Sequence, residues 1–301
     1  MAMKRAKVVF TCGISLLALC AVAAVFGTTN TIGQQGKVAR VDWMSKLPDN
    51  TEISQLNIPG THDTLALYGL ADFSGQCQSL DVKQQLRIGV RFLDVRLKQI
   101  GNKLRAVHGF VDQKESFDFV VRELESFLKE NPKETLFISV KEDDKAESPA
   151  FSFEECLNTY LKDEFWYTSD TMPQTLGQVR GKMVLLTRYD DGNKGVNMAD
   201  KWQDCGSFSL DDFYIQDEYI IDDIEAKKAA ILACSEKDST YRLNFFSGYF
   251  RKGFPPSNAP SVAKIINPWA IKTLPQMNKR GVCLFDFVTS ELMDAYFGGQ
   301  A

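Results

Sequence analysis

Two histidines are the residues of this chain best suited to proton transfer, and each is associated with an apolar, strand-like run. His62 stands in "LNIPGTHDTLALYG", directly before Asp63, and His108 ends the run in "RAVHGFVD". An imidazole titrates near neutral pH, so two of them can serve as one general base and one general acid. A neighbouring carboxylate can fix the tautomer of such a ring and stabilise its protonated form. The pattern therefore predicts a two-histidine site for acid–base chemistry.

Other charged or polar side chains stand at the ends of further apolar runs. They are Asp94 and Arg96 in "RFLDVRL", Lys141 after "TLFISV", Arg188 after "KMVLLT", Asp217 and Tyr219 in "YIQDEY", and Asp286 in "LFDF". The carboxyl ends of parallel strands meet at one mouth of a barrel, so we expect these side chains to gather there. Three cations suit an anionic centre such as a phosphodiester, where charge develops on oxygen. Asp217 and Tyr219 suit hydrogen bonds to a polyol.

Strand-like and helix-like runs alternate from about residue 52 onwards. The predicted strands are 52–58, 91–97, 103–108, 135–141, 182–188, 212–219, 241–247 and 281–287. The predicted helices are 79–89, 116–132, 152–162, 222–234, one after the Pro-rich loop near residue 255, and 290–297. This alternation indicates an α/β fold with a mostly parallel sheet, as a single-domain, distorted or incomplete TIM (β/α) barrel over residues 40–298. A doubly wound sheet is the competing fold, although no Gly-rich phosphate loop follows the first strand.

The amino-terminal segment has the character of an export signal. Lys4, Arg5 and Lys7 precede an apolar run from Val8 to Phe26. We interpret residues 1–27 as a signal peptide, with an uncleaved membrane anchor as the alternative. Either one places the body of the protein outside the cytosol, secreted or extracytoplasmic. The net charge of −4 and the lack of a basic stripe argue against nucleic acid as a partner.

The body of the chain contains five cysteines, which are Cys77, Cys156, Cys205, Cys234 and Cys283. An odd number allows up to two disulfides and one free thiol in an oxidising compartment, and the sequence leaves the pairing open. Their spacings are long and irregular, and no CxxC occurs. We therefore predict no zinc site.

At these residues the chain resembles the phosphatidylinositol-specific phospholipase C X-domain family, most closely its small, single-domain bacterial type. The similar pieces, in order, are "NIPGTHD", "RFLDVR", "VHG", "NPKETLFISVK", "RGKMVLLTRY", "IQDEY" and "LFDF". The resemblance implies a distorted TIM barrel that acts as a phosphatidylinositol diacylglycerol-lyase. Its products would be diacylglycerol and inositol 1,2-cyclic phosphate.

The resemblance also implies roles for the residues at the strand ends. His62 would be the general base, paired with Asp286, and His108 the general acid, paired with Asp63. Arg96, held by Asp94, would bind the phosphate. The inositol ring would meet four further side chains, which are Lys141, Arg188, Asp217 and Tyr219.

The resemblance implies activity without a metal or other cofactor. Calcium-requiring relatives carry an acidic ligand where this chain has Arg96, and a guanidinium there takes the place of the cation. Calcium needs about six to eight oxygen ligands, and the sequence around Arg96 does not supply them. The sequence therefore predicts no cofactor and no bound metal.

The expected partner is phosphatidylinositol in a membrane surface, contacted peripherally by a monomer. Two loops carry apolar and basic residues suited to a lipid interface. The candidates are Leu67, Tyr68 and Phe73 after His62, and Phe250 and Phe254 beside Arg251 and Lys252. Ordinary packing of these side chains is the alternative.

Two other functions remain open at this point. The chain could instead cleave glycosylated phosphatidylinositol anchors or a different phosphodiester. It could also be a lipid-binding module without catalysis, although both histidines and both carboxylate partners are present.

Overall fold

The structure is a computed structural model that describes residues 40–70, 75–190, 192–252 and 259–298. The predicted signal segment 1–27 and two membrane-interface candidates, Phe73 and Phe254, lie outside the described residues. Among the described helices, none has the length and apolar character needed to cross a bilayer.

The described residues form fourteen strands and six α-helices. The strands are β1 Ile58–Thr61, β2 Phe92–Ile100, β3 Lys103–His108, β4 Val111–Ser116, β5 Leu136–Glu147, β6 Trp166–Tyr167, β7 Met183–Arg188, β8 Val196–Asn197, β9 Gly206–Leu210, β10 Phe213–Asp217, β11 Ile220–Ile221, β12 Tyr241–Phe245, β13 Tyr249–Phe250 and β14 Val282–Phe285. The helices are α1 Val82–Arg87, α2 Phe117–Glu130, α3 Phe153–Asn158, α4 Ile224–Ser235, α5 Ala259–Thr273 and α6 Ser290–Gly298. Short 3₁₀ turns occur at Trp43–Lys46, Ile53–Gln55, Leu176–Gln178 and Leu274–Gln276.

One curled sheet carries most of these strands, in the order β6-β7-β5-β2-β1-β14-β12-β10-β9. Every neighbouring pair in this order is parallel except β10 and β9, which are antiparallel. Within the described chain the two end strands do not pair with each other, so the barrel stays open on that side. The predicted fold, a distorted and incomplete TIM barrel, is confirmed.

Two apolar layers follow from the alternation of side chains along each strand. On β2, Leu93, Val95 and Leu97 face outward and join the cluster formed with the surrounding helices. Phe92 faces inward, where it joins the core of the barrel with residues such as Phe137 and Leu284. Because the same inward row continues into Asp94 and Arg96, the interior changes from apolar to charged toward the carboxyl ends of the strands.

The first strand differs from the sequence-based prediction of 52–58. Ile53–Gln55 is a 3₁₀ turn, and the strand begins only at Ile58. The reason is the spacing of the buried side chains, because Ile53 and Leu56 are three residues apart and share one side of a tight turn. The prediction treated residues 52–58 as a strand, whereas the three-residue spacing of Ile53 and Leu56 fits a 3₁₀ turn.

The third predicted strand also differs in direction. β3 runs antiparallel to β2 and continues through a tight turn into β4. His108 therefore arrives at the mouth on a hairpin that turns back, and not at the end of a parallel barrel strand. The five cysteines of the described chain are free thiols.

Candidate active site

Three cations form one row across the inner wall of the barrel. Arg96 on β2 is in register with Lys141 on β5, which in turn is in register with Arg188 on β7. Residues in register on neighbouring strands point to the same face. The sheet therefore delivers three positive charges side by side to the mouth.

His62 lies directly after β1, and Asp286 lies directly after the neighbouring β14. His62 Nδ1 is 2.8 Å from Asp286 Oδ1, and its Nε2 is 2.8 Å from Nη2 of Arg96. A guanidinium can only donate, so Nε2 must accept a hydrogen bond from Arg96. Nδ1 must then carry the proton and donate a hydrogen bond to Asp286. The contacts thus select the neutral tautomer that has its proton on Nδ1 and its lone pair on Nε2, facing Arg96.

Asp63 and Asp94 surround Arg96. Asp94 Oδ2 lies 3.3 Å from both Nε and Nη2 of Arg96 and accepts from the backbone N–H of Asp63 at 3.1 Å. Asp63, with a positive φ of 45°, directs Oδ2 to 3.4 Å from Arg96 Nε. The two carboxylates hold the guanidinium in place between them.

His108 is held differently from His62. Its Nδ1 lies 2.7 Å from the carbonyl oxygen of Gly75, which can only accept, so Nδ1 carries a proton. Its Nε2 lies 3.4 Å from Asp63 Oδ2, the same oxygen that faces Arg96. The predicted partner Asp63 therefore faces Nε2, while a backbone carbonyl orients the ring.

Lys141 pairs with a carboxylate that sequence reasoning missed. Its Nζ lies 2.5 Å from Asp143 Oδ1, whose other oxygen accepts from the N–H of Gly109 at 2.7 Å. Asp143 also lies 3.7 Å from Nη1 of Arg96. The segment "KEDDK" has no apolar alternation that would predict a strand, but β5 continues through it and Asp143 faces Arg96.

Arg188 is buried against both charge and aromatic surface. Its Nη1 lies 3.4 Å from Asp94 Oδ1, and its guanidinium stacks 3.6 Å above the ring of Trp202. Asp217, at the end of β10, interacts electrostatically with Arg188. Trp202 was not a sequence candidate, because no pattern in its loop predicts that it stacks on a strand from another part of the barrel.

The predicted strand 212–219 would place Tyr219 on the same face as Asp217, but Tyr219 lies outside β10. β10 ends at Asp217, and the N–H of Tyr219 turns back to the carbonyl of Asp217 at 3.0 Å. The hydroxyl donates to Asp204 Oδ1 at 2.5 Å. The ring lies 6.0 Å from that of Tyr249, so the two form an aromatic pair.

The charges explain the shifted acidities at the site. Burial is the largest effect on the pKa of His62 and lowers it, as Arg96 also does, but Asp286 and Asp63 together bring the pKa above its ordinary value. Burial raises the pKa of Asp63 despite the nearby Arg96. Burial also opposes ionisation of Asp143, but the charges of Arg96 and Lys141 bring its pKa down to about 2.

Lys227 of α4 is a buried cation that interacts with Asp217. The sequence did not single it out. Its Nζ donates to Gln216 Oε1 at 2.8 Å. Burial lowers its pKa to about 8, against the raising effect of Asp217. The sequence offers little signal for it, because Lys227 stands beside Lys228 and two residues after Glu225, as in an ordinary solvated helix turn.

Apolar side chains rise above the mouth on two neighbouring segments. Tyr68 and Leu70 are exposed in the loop after His62, and Leu67 there is half-buried. Phe110, in the turn between β3 and β4, is 82% exposed and was not a sequence candidate. Phe250 on β13 is half-buried and packs against the outer core. Among the described residues near the mouth, the exposed large apolar side chains thus lie on the His108 hairpin and on the loop after His62.

Two groups of side chains at this mouth have the atoms to hold a metal ion, and both include Cys77. One combines it with His62 and Asp286, the other with Asp63 and His108. Neither group offers the oxygen shell that calcium prefers, because each contains one carboxylate, one imidazole and one thiol.

The open α/β barrel with two carboxylate-associated histidines around an arginine defines a class of phosphodiester-active proteins. Residues 56–189 match the family model "Phosphatidylinositol-specific phospholipase C, X domain", in agreement with the resemblance of the motifs in this stretch. A 1-phosphatidylinositol phosphodiesterase of Listeria monocytogenes is 29% identical over 269 residues, covering 84% of this chain and 83% of that relative.

Solved structures give the same result for the fold. Phosphatidylinositol-specific phospholipase C from Listeria monocytogenes is similar with a TM-score of 0.68 at 27% identity, covering 87% of this chain and 99% of that one. A structure concerned with membrane binding of the Staphylococcus aureus phospholipase C has a TM-score of 0.73 at 25% identity, with coverage of 85% and 97%.

Proposed function

We propose that this chain is a phosphatidylinositol diacylglycerol-lyase that works without a metal ion. The observation that carries the proposal is the arrangement around Arg96. His62 contacts its guanidinium directly, and His108 reaches it through one oxygen of Asp63. A phosphate bound to Arg96 would thus have one imidazole near each side.

His62 is suited to the role of general base. Its Nε2 carries a lone pair, and its Nδ1–H is anchored on the buried carboxylate of Asp286. The Nε2 takes the proton of the inositol 2-hydroxyl as that oxygen attacks phosphorus. Asp286 then stabilises the imidazolium that forms.

His108 is suited to the role of general acid. When its ring is protonated, Nε2–H gives its proton to the diacylglycerol oxygen as the bond from that oxygen to phosphorus breaks. The carboxylate of Asp63 lies 3.4 Å from Nε2, on the side from which the proton is transferred. One proton is taken and one is given, so the products are neutral diacylglycerol and the cyclic phosphate monoanion.

Arg96 supplies the positive charge for the phosphate. The nitrogen that donates to His62 would turn to a phosphate oxygen when substrate enters, which also frees the base. Asp63, Asp94 and Asp143 hold the guanidinium at this place. Because this fixed cation stabilises the charge that develops on oxygen, the reaction needs no calcium.

The remaining polar side chains of the mouth suit the inositol ring. Lys141 and Arg188 stand in the same row as Arg96 and can donate to hydroxyls. Asp217 can accept from a hydroxyl, and the ring of Tyr219 offers a face for stacking. A charged, hydrogen-bonding wall of this kind favours a polyol headgroup over choline or ethanolamine.

The substrate lies in a membrane, so we place the mouth against the bilayer. Of the residues that the structure describes, Leu70, Tyr68 and Phe110 are exposed apolar side chains there, and Lys114 lies 4.0 Å above the ring of Tyr68. Basic and aromatic residues together suit an anionic lipid surface. The protein would act as a peripheral, extracytoplasmic monomer, in agreement with the signal-like segment 1–27.

Phosphorus NMR of phosphatidylinositol vesicles with the purified protein in excess chelator tests the proposal. We expect the five-membered cyclic phosphate signal to grow as the phosphodiester signal falls. A reaction that starts only after calcium is added would overturn the metal-independent mechanism. Vesicle binding without any phosphorus product would indicate the lipid-binding module instead.

A further inference from the structure

A thiol occupies the space between the two histidine–carboxylate pairs. Cys77 is buried, and its Sγ lies 3.8 Å from Nδ1 of His108. Its backbone is fixed at both ends, because its N–H donates to Ala66 and its carbonyl accepts from the N–H of Phe287. The sulfur is therefore held at this place by the fold.

Ligand atoms of Cys77, His108 and Asp63 all lie within 4.8 Å of one another. Four-coordinate zinc holds sulfur at about 2.3 Å and nitrogen or oxygen at about 2.0–2.2 Å. The ligands of one tetrahedral ion are consequently about 3–4 Å apart, so small side-chain adjustments would complete the triad.

Asp63 provides an independent sign that this place lacks a partner. Its side chain is 1% exposed, and neither carboxylate oxygen has a hydrogen-bond partner. The nearest cationic group, Arg96, stays at 3.4 Å and is shared with other carboxylates. A buried carboxylate without hydrogen bonds costs free energy, which a bound cation offsets.

The Asp63 triad fits an ion better than the second group does. In the second group, one oxygen of Asp286 is already bound to His62 at 2.8 Å, and only the other is without a partner. Neither oxygen of Asp63 accepts a hydrogen bond, although Oδ2 lies 3.4 Å from both Arg96 and His108. Sulfur and imidazole nitrogen favour zinc or cadmium over calcium or magnesium.

We propose that Cys77, His108 and Asp63 form an inhibitory site for a thiophilic divalent cation such as Zn²⁺ or Cd²⁺. The thiol releases its proton to solvent as sulfur binds the ion, with no change of oxidation state. The ion occupies a nitrogen of His108 and the carboxylate of Asp63, so His108 no longer donates a proton. The inhibitory effect rests on the proposed function, whereas the binding does not.

Optical titration with Cd²⁺ tests the binding without reference to activity. We expect one equivalent to produce ultraviolet thiolate-to-cadmium absorption in the unaltered protein. Cys77→Ala should abolish this absorption, and Cys77→Ser serves as a second variant should Ala impair folding. Cys234→Ser is the matched control, because that thiol is also buried, belongs to neither group and donates to the carbonyl of Leu243.

Cleavage of phosphatidylinositol in buffered Cd²⁺ or Zn²⁺ tests the inhibition. The ion should inhibit the unaltered protein and Cys234→Ser alike, and chelator should restore activity. Cys77→Ala should keep its basal activity and need at least about tenfold more ion for the same inhibition, as expected when a metal ligand is removed. Equal inhibition of Cys77→Ala, or absorption without inhibition, would overturn the proposal. A protein without cyclase activity that still shows Cys77-dependent absorption would overturn only the proposed function.

Discussion

The two histidines differ in how the fold holds them. His62 follows a central strand of the parallel sheet, and both of its ring nitrogens have a partner at 2.8 Å. His108 ends a strand of an antiparallel hairpin, and only its Nδ1 has a close partner. Its side chain is 28% exposed, against 13% for His62.

This difference fits the two proposed roles. A base that takes a proton from a hydroxyl of the rigid inositol ring would benefit from one fixed position, and His62 is held beside the parallel pair of β1 and β14. An acid that protonates a lipid oxygen would need access to a leaving group in the membrane, and His108 is the more exposed of the two.

The largest expected effect separates base from acid. His62→Ala and His108→Ala should each lower cleavage of phosphatidylinositol by about 100- to 10,000-fold. With a nitrophenyl leaving group, which needs no proton, His108→Ala should recover most of its activity and His62→Ala should not. Steady-state rates on both substrates measure this. Recovery of His62→Ala in place of His108→Ala would reverse the assignment.

Arg96 is the group that both halves share. Arg96→Lys keeps a charge but loses the planar fork that reaches His62 and Asp94 together. We expect activity to fall by about 100- to 1,000-fold, the size found for a lost oxyanion contact. Arg105→Lys, in an exposed ion pair of the hairpin, is the matched control. Full rescue of Arg96→Lys by calcium would contradict a dedicated guanidinium site.

The carboxylate partners should differ in their effect on the pH profile. Asp286 raises the pKa of His62 more than Asp63 does. A base works only above its pKa, so the acidic limb of kcat/KM in the unaltered protein should lie above the ordinary histidine value.

Asp286→Asn removes the carboxylate that raises the pKa of His62 most, so the acidic limb of the kcat/KM profile should move to lower pH. It should also lower the maximal rate, by about 10- to 100-fold, less than loss of the imidazole itself. Asp63→Asn should move the acidic limb less. A limb that stays in place in Asp286→Asn would show that another group limits the rate at low pH. Full profiles of kcat/KM against pH for the three proteins provide the measurement.

The base side of the site was easier to predict from sequence than the acid side. Parallel strands end at one mouth, so the residues after β1 and β14 could be placed from apolar runs alone. The direction of β3 could not, because the pairing of a short strand depends on tertiary contacts that "KLRAVH" does not encode. His108 is therefore a sequence candidate that reaches the mouth on an antiparallel hairpin, a route that the sequence did not predict.

Other differences have the same origin. Asp143 was not a sequence candidate, because "KEDDK" has no apolar alternation that would predict a strand. Only the extension of β5 beside β2 turns this side chain toward Arg96. Trp202 meets Arg188 through a loop whose path no local pattern describes. Sequence thus predicted the residues that follow buried strands, and missed those placed by long strands and loops.

The smallest of these effects concerns the hairpin that carries the acid. In the proposed mechanism the diacylglycerol would leave on the side of His108, so this side would face the bilayer, and Phe110 stands only two residues further along the chain. The N–H of Gly109 between them is anchored on Asp143. Insertion of Phe110 into the lipid would therefore position His108 at the leaving oxygen.

Phe110→Ser should weaken this contact by about 2 kcal/mol, the value of one buried aromatic side chain. That corresponds to about 30-fold less activity on vesicles at low lipid concentration. Activity on a monomeric, short-chain substrate should not change, because the site itself is intact. Leu232→Ser is the control, because this exposed side chain lies in the last turn of α4. The chain goes from there to the beginning of β12, whereas the mouth is at the carboxyl ends of the strands. An equal loss on both substrates would mean that Phe110 supports the hairpin and does not anchor it in lipid.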